Sequence, residues 1–174
     1  MRDLLEALGQ DVDNESLRDT PARVARAFSE MLSFREFDAR TFPNDESYDE
    51  LVVVKDIPFT SLCEHHLLPF IGRAHVAYLP GERIIGLSKL ARVVERFSRR
   101  LQVQERLTAQ IADWLCSELG PQGVGVVMEA EHMCMSVRGV RASGTTTKTS
   151  ALRGTLRDDP RTRQEFLLLV EGGR

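Results

Sequence analysis

The chain has 174 residues, of which 42% are hydrophobic and 28% charged, with a net charge of −3. That length buries the core of one ordinary domain, and the balance is that of a globular protein rather than a disordered or fibrous one. The mild negative charge excludes a general attraction to nucleic acid or to an acidic membrane face, and no run of about 18 apolar residues is present to span a bilayer.

Asp19 or Thr20 caps a helix with Pro21 in its first turn, where Val24, Ala27, Phe28, Met31 and Leu32 recur at helical spacing. Pro43, Asn44 and Asp45 mark a connection, after which ELVVVKDI reads as a strand. GRAHVAYLPG alternates as a second strand that turns at Pro80 and Gly81, so the two make a hairpin-like pair. Leu87, Leu90, Val94, Phe97 and Leu101 then form one helical face, and Leu107, Ile111, Trp114 and Leu115 another, which Gly120 and Pro121 end. GVGVVMEAEHMCMSV and, near the end, QEFLLLVE read as strands. The order is ββααββ behind an N-terminal helix, an α+β arrangement with mostly antiparallel neighbours. Between those last two strands, ASGTTTKTSALRGTLRDDPRTR is polar and aperiodic and is expected to be a long loop.

Three cysteines in no disulfide-like spacing, and an N-terminus with acidic residues through its apolar stretch, point to a reducing cytoplasm. Thiols there are free to bind metal. The strand period of two puts His132 and Cys134 on one face, and Cys63 and His66 converge if CEHH lies on a bend. Thiolate with imidazole favours zinc, and Cys63, His65, His66, His132 and Cys134 are the candidate ligands. Four protein ligands would make a closed structural site and three a catalytic one. Cys116 on a helix reads as a small buried hydrophobe, and His75 as a packing residue.

CEHHLLPFIGRAHVAYLP, IIGLSKLARVVERFSRRLQVQERLT, HMCMSVRGVR and TRQEFLLL, in this order, closely resemble GTP cyclohydrolase I, from about Asp19 to Val170. The resemblance implies the tunnelling fold, in a single domain over 1–174, with an N-terminal helical region at 1–34 and a fold core at 50–171. It implies a decamer of two face-to-face pentamers, with active sites at subunit interfaces. It also implies one zinc per subunit, held by Cys63, His66 and Cys134, whose open position holds a water made nucleophilic towards guanine C8. The expected reaction converts GTP to 7,8-dihydroneopterin triphosphate and formate, the first step of pterin or folate-type biosynthesis.

By the same resemblance His65 is the principal proton donor, with His132 assisting at ring opening and at the sugar steps. Glu105 accepts from guanine N1 and its exocyclic amine, with Gln104 beside it. Ser88, Lys89, Arg92 and Arg138 bind the triphosphate, joined by Arg23 and Arg26 of a neighbouring subunit. Arg96 and Arg99, at the same helical spacing, read as a solvated face. Two other readings compete: a reductase of the same fold that acts on a deazaguanine nitrile through cysteine and NADPH, and a nucleotide-binding module braced by zinc.

Overall fold

Alternation along long strands organises the protein, and one central strand paired on both sides brings together the two strand ends that carry the cysteines. The computed structural model describes residues 1–172. The chain separates into one unit at Met1–Ser33 and a larger one that starts at Phe34. The first holds α1 (Arg2–Ala7), which the sequence reading did not anticipate, and α2 (Thr20–Leu32). Helix α2 starts where its cap signals place it, with Asp19 at the N-cap and Pro21 in the first turn.

The larger unit runs β1 (Thr41–Pro43), β2 (Val52–Cys63), β3 (Pro69–Leu79), β4 (Arg83–Ile85), α3 (Leu87–Ser98), β5 (Leu101–Gln102), α4 (Gln104–Leu119), β6 (Gly123–His132), α5 (Met133–Ser136), β7 (Thr146–Gly154), α6 (Thr155–Asp158) and α7 (Pro160–Glu171). β1 and β4 pair as a small ribbon, and the other strands form one sheet in the order β5-β2-β3-β6-β7. Its long strands are all antiparallel, and only the short β5 runs parallel to β2. Four long strands with α3 and α4 between their pairs give the expected ββααββ order. No helix among the described residues is long and apolar enough to cross a membrane.

Pleating gives the sheet two faces. Phe70, Ala74, Val76 and Tyr78 of β3 share a core with Val124, Val126, Met128 and Ala130 of β6, covered by Leu90, Val93 and Val94 of α3 and Leu107, Ile111 and Leu115 of α4. On the opposite face Leu156 of α6 and Phe166 of α7 pack with Ala77. Glycine permits that approach, because a Cβ on Gly125 would lie 2.7 Å from Leu156 and 2.8 Å from the Phe166 ring. Helix α4 ends as its Gly-Pro pair predicts, with Gly120 in the left-handed region at φ 57°.

Three expectations are overturned. QEFLLLVE is not a strand but the body of α7, and the fourth long strand is the threonine-rich stretch read as a loop. A helix start outweighs the apolar run there: Asp159 accepts from the backbone N–H groups of Arg161 and Thr162, each at 3.2 Å, with Pro160 in the first turn. β7 is polar because it is an edge strand, and threonine's branched side chain suits a pleated surface. Finally, β6 stops at His132 and Cys134 lies in α5, so the two do not share a strand face.

Candidate active site

Cys63 ends β2 and opens the tight turn into β3. Its carbonyl accepts from the N–H groups of His66 at 3.3 Å and Leu67 at 2.8 Å, while its own N–H donates to the Leu68 carbonyl at 2.9 Å. Leu67 completes the reversal at φ 55°, a left-handed conformation unusual for a leucine. The CEHH segment is therefore on a bend, and its cysteine and histidines converge. Nδ1 of His66 lies 3.7 Å and Nδ1 of His65 3.8 Å from Cys63 Sγ.

Cys134 reaches the same place from β6. The β3–β6 register sets Phe70 opposite His132, so β6 ends beside the CEHH turn and the single turn of α5 carries Cys134 across. The donor atoms of Cys63, His66 and Cys134 all lie within 4.8 Å of one another. Burial first, and then the adjacent Cys63 sulfur, push the Cys134 thiol above its ordinary value. A cation between two sulfurs and an imidazole reverses that repulsion, and this donor set fits zinc rather than calcium or magnesium. Three side chains converge, the number that leaves a tetrahedral ion one open position. Cys116 instead packs at the edge of the core, and His75 Nδ1 accepts from the Asp56 backbone N–H at 3.2 Å, in keeping with their structural readings.

His132 is fixed on two sides. Its ring stacks on Phe70 with centroids 4.7 Å apart and planes 3° from parallel. Its Nε2 lies 2.8 Å from Gln104 Oε1. Gln104 is 1% exposed, and its amide nitrogen donates to the Met128 carbonyl at 3.2 Å, the Thr147 carbonyl at 2.9 Å and the Thr149 hydroxyl at 3.1 Å. Both ends of this amide are thus engaged by the protein. Burial lowers the His132 pKa, and the Glu105 carboxylate in the first turn of α4 is near enough to oppose the shift.

Around this centre, Arg138 Nη1 lies 3.3 Å from His66 Nε2. Ser88 and Lys89 occupy the first turn of α3, with Lys89 Nζ 5.8 Å from the centroid of the Phe37 ring and Arg92 one turn further on. Arg23 and Arg26 belong to α2 in the first unit. The sequence reading missed the groups that hold the turn. Arg106 of α4 pairs with the carboxylate of Glu64, which it holds below the usual range, and donates through Nε to Gln102 Oε1 at 2.9 Å. The Glu64 N–H in turn donates to the Gln102 carbonyl at 3.0 Å. The one available signal was the position of Arg106 directly after Gln104 and Glu105; Thr147 and Thr149 were hidden in the supposed loop.

The chain is also similar to known proteins. Residues 1–171 match the family model described as GTP cyclohydrolase I. The chain is 57% identical to GTP cyclohydrolase 1 of Aquifex aeolicus over 172 residues, which are 99% of this chain and 94% of that protein. It is 56% identical to the same enzyme of Sulfurihydrogenibium sp., covering 98% of this chain and 91% of that protein, and 52% identical to that of Deinococcus radiodurans, covering 98% and 81%.

Proposed function

The chain belongs to the GTP cyclohydrolase I family and is an enzyme of it, and on that premise we propose that it converts GTP to 7,8-dihydroneopterin triphosphate and formate at the Cys63–His66–Cys134 centre. The observation that carries the reading is the convergence of those three donor atoms within 4.8 Å, with His65 beside Cys63 but outside the triad and His132 at the end of the strand that leads to Cys134. Zinc held there supplies a Lewis acid and a water activated near neutral pH.

The chain's own residues supply the rest. His65, next to the cluster, gives a proton to guanine N7, which lets the ring accept electrons from a nucleophile at C8. His132, held flat on Phe70, serves the later proton transfers of ring opening and sugar rearrangement. Glu105 accepts from N1 and the exocyclic amine of guanine, a pair of donors that adenine lacks. Gln104 contributes to the guanine end by fixing His132 and the first turn of α4. Ser88, Lys89, Arg92 and Arg138 receive the triphosphate. Arg138, 3.3 Å from His66, supplies a cation beside the metal centre of its own subunit.

Arg23 and Arg26 complete the phosphate site from the helical region 1–34 of a neighbouring subunit, with 50–171 as the catalytic core and the whole chain as one domain. The assembly is a decamer of two pentamers. The outer edge of β7 and most of the β2 edge have no partner strand among the described residues, which suits lateral pairing between copies. A cytoplasmic reaction suits the three free cysteines.

The test is to incubate zinc-assayed protein with GTP and follow formate and dihydropterin absorbance together. Both products, lost with a chelator and restored by zinc, are expected. Zinc and GTP binding without formate would overturn the reading in favour of a binding module.

A further inference from the structure

Helix α5 is a poor anchor for a metal ligand. It is a single turn with no side-chain cap and no buried residue. Beyond it the chain makes an excursion from Val137 to Thr145 in which Gly139, Arg141 and Gly144 all take left-handed conformations, before β7 begins at Thr146. Arg138 sits on this excursion, and Cys134 just before it. The backbone bonds made by its N–H groups are few: Val137 to the Met133 carbonyl at 3.1 Å, Arg141 to the Arg138 carbonyl at 3.2 Å, Ala142 to the Met135 carbonyl at 3.0 Å and Thr145 to the Ala142 carbonyl at 3.3 Å.

One side chain ties both ends together. Glu131 lies opposite Thr146 in the β6–β7 ladder. The strand period puts it on the face away from His132, with Val127 and Glu129. Its Oε1 accepts from the Ser136 hydroxyl, where the excursion leaves α5, at 2.6 Å, and from the Gly144 N–H, where it returns, at 2.9 Å. Those bonds, the Ser136 one foremost, hold the Glu131 carboxyl below its ordinary value, so it is ionised near neutral pH and acts as acceptor only.

We propose that Glu131 is a positioning residue: by clamping Ser136 to Gly144 it closes the base of the 137–145 excursion and so holds Cys134 on the metal centre and Arg138 beside His66. The proposal rests on the reading of Cys63, His66 and Cys134 as one metal centre. The bonds of Glu131 run to Ser136 and Gly144 and to none of Cys63, His66 and Cys134, so it acts through the chain on either side of it. Groups that orient ligands from behind are worth roughly 10–100-fold in metal affinity.

Both hydrogen bonds fall on one oxygen, which makes a selective test possible. Glu131→Gln keeps an oxygen with two lone pairs, Glu131→Ala removes it, and Ser136→Ala removes one donor and leaves the carboxylate. Zinc affinity of the full chain, measured by competition with a chromophoric chelator, is expected to fall about 10–100-fold in Glu131→Ala, by less in Ser136→Ala, and hardly at all in Glu131→Gln. Trypsin cleavage after Arg138 or Arg141 in the metal-stripped full chain should accelerate in the same order, with the urea midpoint recorded to separate local from global opening.

Wild-type zinc affinity in Glu131→Ala with unchanged cleavage would overturn the clamp, as would a Glu131→Gln variant as weak as Glu131→Ala. Should Glu131→Ala fail to fold, Ser136→Ala against Glu131→Gln decides by the same two readouts. A wild type that took up no zinc while the cleavage order held would refute the metal reading and leave the clamp standing.

Discussion

Gln104 assigns the tautomer of His132. Carbonyl oxygens only accept, so the amide nitrogen of Gln104 must face Met128 and Thr147, and its oxygen must face the imidazole Nε2 at 2.8 Å. Nε2 therefore carries a hydrogen, and Nδ1 of the neutral ring presents a lone pair. Gln104→Leu removes both ends of this arrangement and leaves buried partners unsatisfied. A loss of about 1–3 kcal/mol in urea unfolding is expected, together with reduced turnover at unchanged zinc content; a variant with wild-type stability would refute the arrangement.

Cys134→Ser tests the ligand set. The Cys134 sulfur is one of three convergent donors, and a serine hydroxyl neither ionises near neutral pH nor matches a zinc ion's preference for sulfur. Zinc content by elemental analysis and formate release are expected to disappear together. Full zinc occupancy in the variant would exclude Cys134 as a ligand.

His65→Ala separates binding from proton transfer. His65 lies by Cys63 but outside the triad, so zinc content is expected to stay at one ion per subunit while turnover drops by roughly two to four orders of magnitude, the usual contribution of a general acid or base. Near-normal turnover would remove His65 from the reaction.

Acid stability reports on the α7 cap. The Thr162 hydroxyl foremost, then the N–H groups of Arg161 and Thr162, hold the Asp159 carboxyl below its ordinary value. A depressed pKa means that the unfolded chain binds the proton more readily. The cap's ionic contribution is thus complete above the usual aspartate value of about 3.9 and is lost as pH falls through the folded value. Asp159→Asn keeps a capping oxygen but has nothing to titrate, so its Tm should fall less steeply than wild type across roughly pH 5 to 2. Parallel Tm curves would show that Asp159 does not contribute.

The chemistry was more legible in the chain than the architecture around it. Cys63 and His66 sit three apart, a spacing that a straight strand opposes but a turn or a single helical turn brings together, so the bend could be anticipated. Cys134 could be named as a ligand but not placed, because continued alternation past His132 gives no warning that β6 ends there. β7 escaped notice because an edge strand has no need of an apolar stripe on both faces. In the α7 segment, three consecutive leucines masked an Asp-Pro helix start two turns earlier. The second layer behind the site, Gln104 to Thr149 and Glu64 to Arg106, joins residues far apart in the chain, and no local pattern encodes such a pairing.

The pairing of β3 with β6 has a consequence for how the protein matures. Cys63 sits at the tip of a local hairpin, whereas Cys134 arrives only after two helices have been traversed and the central ladder has closed. Non-local ladders are late and slow to form, because the chain between them must be ordered before the contacts can stabilise it. A nascent chain thus exposes the two CEHH donors of the triad early and gains the third only when β6 has paired with β3. Ion uptake then depends on the central ladder, and it stabilises only chains that have closed it.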